Sequence, residues 1–195
     1  MKKVSDLMGE LEIEIQAQQT TERPERPPLV LLESEFDPQS GREAIWAQRE
    51  ASAFAASPEL NAAPYWLSML GNSGTGKTML ARSAHRYLRS RGIPSQFWTW
   101  KGILEHLRQG HWDLKEQLRR DHVLIVDDIG SAQETEFAAA YLDQLADERL
   151  GKWSLWTSNL SLEQIGDNVS ERVRSRMRRN GGVVVEILNT PPYCG

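Results

Sequence analysis

The segment Gly71-Asn72-Ser73-Gly74-Thr75-Gly76-Lys77-Thr78 constrains this chain more than any other. It fits the pattern G-x-x-x-x-G-K-[ST], follows an apolar run from Tyr65 to Leu70, and opens a helical run from Thr78 to Ser90. The pattern carries physical meaning only in that order of strand, loop and helix. Glycines at 71, 74 and 76 permit positive φ and let backbone N–H groups approach an anion. The helix that follows points its N-terminal N–H groups and positive dipole end at the same place. Lys77 is then placed to reach β- and γ-phosphates, and the Thr78 hydroxyl to ligate Mg2+. The competing reading is an ordinary Gly-rich turn before a helix, and the full match in this context speaks against it. The chain is expected to bind a nucleoside triphosphate.

With 195 residues the chain can bury one good core, which implies a single domain with a short extension. A formal charge of −4 excludes a global positive field for nucleic acid, although local basic clusters remain compatible with it. The single cysteine, Cys194, excludes a disulfide framework and fits a reducing cytoplasm. No apolar run approaches the roughly 18 residues of a membrane-spanning helix, and no signal-peptide core follows Lys2 and Lys3. The expectation is a soluble cytoplasmic protein without a membrane partner.

Residues 4 to 16 set Val4, Leu7, Met8, Leu11 and Ile15 at helical spacing, and the polar, proline-bearing stretch to Pro28 reads as a linker. A helix this short is marginal alone, so it docks on its own domain, binds a partner or stays unfolded. Residues 1–28 are therefore set apart as a candidate partner-binding extension, and 29–195 as the main domain. Gly41 to Ser57 predicts a helix packed through Ile45 and Phe54, and Pro58 and Pro64 bracket a loop.

From there strands and helices alternate. Strands are predicted at 65–70, 95–100, 123–126, 153–157 and 183–188, and helices at 78–90, 102–109, 113–120, 135–150, 161–165 and 170–179. Ser161 and Gln164 have the spacing of a capping box. The pattern implies an α/β fold with a parallel five-stranded sheet covered by helices on both faces.

Val123-Leu124-Ile125-Val126-Asp127-Asp128 is an apolar strand ending in two acids. In a buried parallel strand such a tip projects into the ligand crevice, where Asp127 suits Mg2+ and Asp128 an attacking water. Acids that merely end a strand are the plain alternative. Thr157-Ser158-Asn159 ends another strand, where the Asn159 amide could face the γ-phosphate or simply make a turn.

Several blocks in order carry a resemblance: Gly71–Thr78, Phe97–Trp100 with Gly102–Arg108, Val123–Gly130, Asp147-Glu148-Arg149, Trp156–Glu163 and Glu171–Met177. From about Gly41 to Tyr193 the chain resembles AAA+ ATPases of the DnaC-like helicase-loader and IstB-like transposition-helper group. The resemblance implies ATP and Mg2+ as cofactors, with Gly71 to Thr78 as the nucleotide loop and Thr78 and Asp127 as metal ligands. It implies Lys77, Asp128, Asn159 and Arg176 as the catalytic set: Asn159 the γ-phosphate sensor, Arg176 an arginine finger reaching a neighbouring subunit, Arg172 its support. A homo-oligomer follows, because no subunit completes its own site. Arg172, Arg176 and Arg179 share one helix face, and a solvated basic face is the alternative for the cluster.

Residues 98–120 match the region where such proteins touch single-stranded DNA. Lys101, Arg108, Arg119 and Arg120 supply charge there, and Trp100, His106 and Trp112 rings for stacking. Against this, Trp98 and Trp100 read equally as packed residues of an edge strand. The function implied is an ATP-dependent loader of a replicative helicase, with residues 4–16 gripping the partner. The alternative is an ATP-dependent helper of a DNA transposase. The chain departs from the group in ending Pro191-Pro192-Tyr193-Cys194-Gly195, without a C-terminal sensor arginine or an evident lid. A small-molecule kinase and a non-hydrolysing adaptor are the competing classes.

Overall fold

A computed structural model describes residues 41–130, 135–179 and 181–189. The extension at 1–28, the first residues of the main domain from 29 to 40, and Cys194 lie outside the described residues. Five parallel strands form one sheet: β1 (Trp66–Gly71), β2 (Ser95–Thr99), β3 (Val123–Ile129), β4 (Trp153–Ser158) and β5 (Val183–Ile187). Their order across the sheet is β2-β3-β4-β1-β5. The crossover from β1 to β2 therefore skips two strands, which leaves the C-terminal ends of β1, β4 and β3 side by side. Ligands of open α/β sheets bind at such a place.

The strands are apolar on both faces because helices cover both. Leu67, Met69, Val123, Ile125, Leu155, Val185 and Ile187 pack under α1 (Arg42–Leu60) and α2 (Lys77–Ser90). Trp66, Leu70, Leu124, Val126 and Trp156 pack on the other face, under α3 (Trp100–Arg108), α4 (Asp113–Arg120), α5 (Glu136–Glu148), α6 (Leu162–Asn168) and α7 (Glu171–Met177). Ser68, buried in the middle of β1, accepts the Trp66 indole N–H at 3.0 Å, so this polar insertion in an apolar strand is satisfied.

The predicted alternation holds, with four local differences. In α1 the buried stripe is Ala44, Ala47, Ala51, Phe54 and Ala55, so Phe54 packs as expected but Ile45, at 39% exposure, faces outward beside Trp46. The small alanines let α1 lie close to its neighbours, and Ile45 falls just off their line. Pro58 lies within α1 rather than opening a loop. A proline there removes the donor to the Phe54 carbonyl, and the Ser57 hydroxyl donates to that carbonyl at 2.8 Å instead.

Trp100 begins α3 instead of ending β2. Thr99 makes the break: its hydroxyl caps α3 by accepting the Gly102 N–H at 3.1 Å. β3 runs past Val126 to Ile129, with a register irregularity against β4 that puts both acids inside the strand. The capping box forms as predicted: Ser161 Oγ accepts from Gln164 N–H at 3.2 Å, and Gln164 Oε1 from Ser161 N–H at 2.8 Å.

Candidate nucleotide site

The loop between β1 and α2 takes its shape from three glycines at positive φ, Gly71 at 118°, Gly74 at 78° and Gly76 at 86°. Gly71 has a second reason to lack a side chain, since a Cβ there would lie 2.3 Å from the Ile187 carbonyl oxygen on β5. The next residue binds the same strand: Asn72 N–H donates to Ile187 O at 3.0 Å and its side-chain amide to Leu188 O at 2.6 Å. Lys77, 5% exposed, folds back over the loop and donates to Gly71 O at 2.9 Å, Asn72 O at 2.6 Å and Thr75 Oγ1 at 3.2 Å. Burial lowers the Lys77 ammonium to about 8, with Asp128 and Asp127 opposing the fall.

The acids of β3 meet this loop through β4. Asp127 Oδ1 accepts two hydroxyls, from Thr78 at 2.9 Å and from Thr157 at 2.6 Å. The Thr157 oxygen also accepts the Asp128 N–H at 2.9 Å. Asp128 sits at φ 64° within the irregular step of β3, an example of a bulge re-aiming a side chain beside a site. Its Oδ1 accepts the Asn159 amide at 2.8 Å. Loop, acids and Asn159 thus line one cleft of about 550 Å3. Arg82 and Arg86 line it as well. They follow Thr78 at intervals of four along α2, a spacing legible in the sequence but not singled out there.

Arg176 is not among the residues lining this cleft. It lies on α7, where its Nε donates to Asp147 Oδ1 at 2.5 Å while Arg172 Nη2 donates to Asp147 Oδ2 at 2.5 Å. The hydrogen bond from Arg176, with the charges of both arginines, holds the Asp147 carboxyl below the usual range.

The region 98–120 divides. Trp100 is fully buried and stacks on Tyr141 at 6.2 Å between centroids, so it is not available for base stacking. Trp112 is 55% exposed with the Lys115 ammonium 5.1 Å from its ring centre. His106 is exposed and meets Trp98 edge-on at 5.1 Å. Lys101 and Arg108 are exposed, whereas Arg119 and Arg120 both pair with Glu116. No described helix is long and apolar enough to cross a membrane.

The profile of the family described as IstB-like ATP binding protein matches residues 50–173. Among solved structures, AMPPCP-bound DnaA from Aquifex aeolicus is similar, with a TM-score of 0.65 and 23% identity, covering 84% of this chain. This chain spans 51% of that DnaA. The structure of DnaI is similar with a TM-score of 0.65 and 20% identity, over 84% of this chain and 90% of that one. The DnaC helicase loader follows with a TM-score of 0.58 and 22% identity, over 72% of this chain and 90% of that one. At these identities the likeness is one of fold, that of the P-loop AAA+ NTPases. No curated protein sequence gives a significant match.

Proposed function

The chain belongs to the family of IstB-like ATP-binding proteins, and from that premise we propose that it loads a replicative helicase onto single-stranded DNA, hydrolysing ATP between neighbouring subunits. The observation that carries the hydrolytic reading is the meeting of Thr78 and Thr157 on Asp127, with Asn159 on Asp128 beside them.

The residues fit a triphosphate and Mg2+. A hydroxyl and a carboxylate 2.9 Å apart form a hard oxygen donor set that leaves further positions to water and phosphate oxygens. Lys77 rests on loop carbonyls, a position from which its ammonium can move onto phosphate oxygens. When bound, the nucleotide and cation supply the phosphoryl group and neutralise the charge that develops on it. The chain's own part follows from its geometry. Backbone N–H groups from Gly74 to Thr78 cradle the phosphates, and Thr78 with Asp127 holds the cation. Asp128 orients the attacking water and accepts its proton, and Asn159 steadies that carboxylate.

Arg176, outside its own cleft, serves the nucleotide of a neighbouring subunit. A guanidinium there meets spreading phosphoryl charge bidentately. Exposed Trp112, Lys101, Arg108 and His106 make the single-strand contact, and residues 4–16 grip the helicase. A second reading is helper of a DNA transposase, the role that the resemblance to IstB-like transposition helpers implies.

The test is ATP turnover with and without single-stranded DNA for the native chain, Lys77→Ala and Arg176→Ala. Stimulated turnover lost in both variants supports the proposal. An inert native chain without nucleotide-dependent assembly would instead make it an adaptor, and phosphate transfer to a small acceptor would make it a kinase.

A further inference from the structure

We infer that Asp147 is a positioning residue for the proposed hydrolysis, its carboxylate holding the Arg176 guanidinium by the Nε edge and leaving the Nη edge for a phosphoryl group. The inference rests on the reading that Arg176 acts on a neighbouring subunit's nucleotide.

The argument begins with α7, a helix of seven residues and too short to hold itself together. Val173 and Met177 bury one side of it in the core. It packs beside α6, and acids of α5 supply further polar attachments. Asp143 Oδ1 accepts the hydroxyl of Ser170, the residue whose Oγ also caps α7 by accepting from the N–H groups of Arg172 and Val173. Asp147 lies one turn further along α5 and divides its carboxylate, Oδ1 to Arg176 Nε and Oδ2 to Arg172 Nη2, each at 2.5 Å. The spacing of four between the arginines is what lets a single carboxylate reach both.

An isolated surface ion pair would mean little. This one is different in two respects. The Arg176 side chain is only 17% exposed and Asp147 only 29%, so both are confined before any partner arrives. The contact also runs through Nε, one of the five N–H donors of a guanidinium, and the four on Nη1 and Nη2 are the pair of forks that a phosphoryl group accepts. An arginine side chain loses rotamer entropy when it is fixed, so a carboxylate that fixes it beforehand removes part of that cost from the reaction. The hydrogen bond from Arg176 lowers the Asp147 carboxyl from its ordinary value, so the carboxylate that makes the hold is charged at neutral pH. Arg172 thereby acts on Asp147 rather than on the nucleotide.

The experiment uses the full chain with Asp147→Ala and Asp147→Asn, alongside Arg176→Ala and Lys77→Ala. It measures turnover, affinity of the dispersed chain for a fluorescent ATP analogue, and turnover of equimolar mixtures. Asp147→Ala is expected to lower turnover about 10-fold to 100-fold, the scale of a misplaced catalytic group, with nucleotide affinity unchanged. Asp147→Asn, which keeps a neutral acceptor and the native shape, should fall between. Mixing Asp147→Ala with Lys77→Ala should restore roughly a quarter of native turnover, because in a head-to-tail interface one subunit brings an intact cleft and the other an intact Asp147–Arg176 pair.

Arg176→Ala mixed with Lys77→Ala tests the underlying reading, and its failure to recover sinks that reading and this inference together. If that mixture recovers but Asp147→Ala does not, or if Asp147→Ala turns over as fast as the native chain or faster, the positioning role is overturned while the between-subunit reading stands.

Discussion

Asn159 donates its side-chain amide to a carboxylate oxygen of Asp128 across 2.8 Å, and Asp128 receives it from a backbone held at φ 64°. Thr157, near the C-terminal end of β4 and two residues before Asn159, takes the Asp128 N–H. The end of β4 and the residue that follows it therefore fix both the main chain and the side chain of the residue proposed to orient water. A left-handed backbone costs a non-glycine residue on the order of 1 kcal/mol, a cost sustained here by these two contacts.

That cost gives a stability prediction. Asp128→Gly should exceed Asp128→Ala in unfolding free energy by about 1 kcal/mol, read from urea titrations. Both should bind ATP and lose turnover by about 100-fold, since both lack the carboxylate. Equal stability of the two would mean the backbone there is unstrained.

Nucleotide affinity should depend on pH through Lys77. Phosphate oxygens favour the ammonium, so its value rises above about 8 when a triphosphate binds. Affinity is then fully present below about 8 and declines as pH climbs from there toward the bound-state value. Calorimetry in buffers of differing ionisation enthalpy should report proton uptake on binding near pH 8.5, and Lys77→Ala should abolish it. Uptake that persists in the variant would assign the effect elsewhere.

Arg149 is fully buried with its guanidinium spread over Trp153 O at 2.6 Å, Asp121 O at 2.5 Å and Ser154 Oγ at 3.0 Å. Burial lowers it to about 10, which leaves it charged at neutral pH. Replacement by leucine keeps the volume roughly but strands those acceptors, and should destabilise the chain by about 3 kcal/mol in denaturant titration. A loss under about 1 kcal/mol would show that water replaces the guanidinium cheaply.

The two tryptophans of the proposed DNA segment should behave oppositely. Trp112→Ala should leave the melting temperature nearly unchanged and weaken a labelled oligothymidylate about 10-fold, one stacked base. Trp100→Ala, at a fully buried position, should cost about 4 kcal/mol of stability. Unchanged oligonucleotide affinity in Trp112→Ala would move the contact off this face.

Much of this was readable from residues. The nucleotide loop and the alternating elements follow from periodicity and glycine placement, which are local. Features that depend on neighbours brought from far along the chain were not. Ile45 was misplaced because a run of alanines hides which helix face is inward, and only packing against the sheet decides it. Trp100 read as strand because its aromatic ring suits one, but the Thr99 cap turns the backbone one residue sooner. Arg149 and Asp147 stood in a motif whose pattern says nothing of their partners, which lie on other elements. Thr157 is unreadable for the same reason: its hydroxyl joins two residues about thirty positions away.

The clasp between the phosphate loop and β5 has a consequence for how the protein comes into being. Asn72 leans on a carbonyl 116 residues downstream, so on a ribosome the loop is made long before the strand that shapes it. Ribosome-arrested chains of increasing length should stay blind to labelled ATP until Leu188 has cleared the exit tunnel. A nascent chain of this kind exposes its phosphate loop well before it can grip nucleotide, because the strand that shapes the loop emerges later.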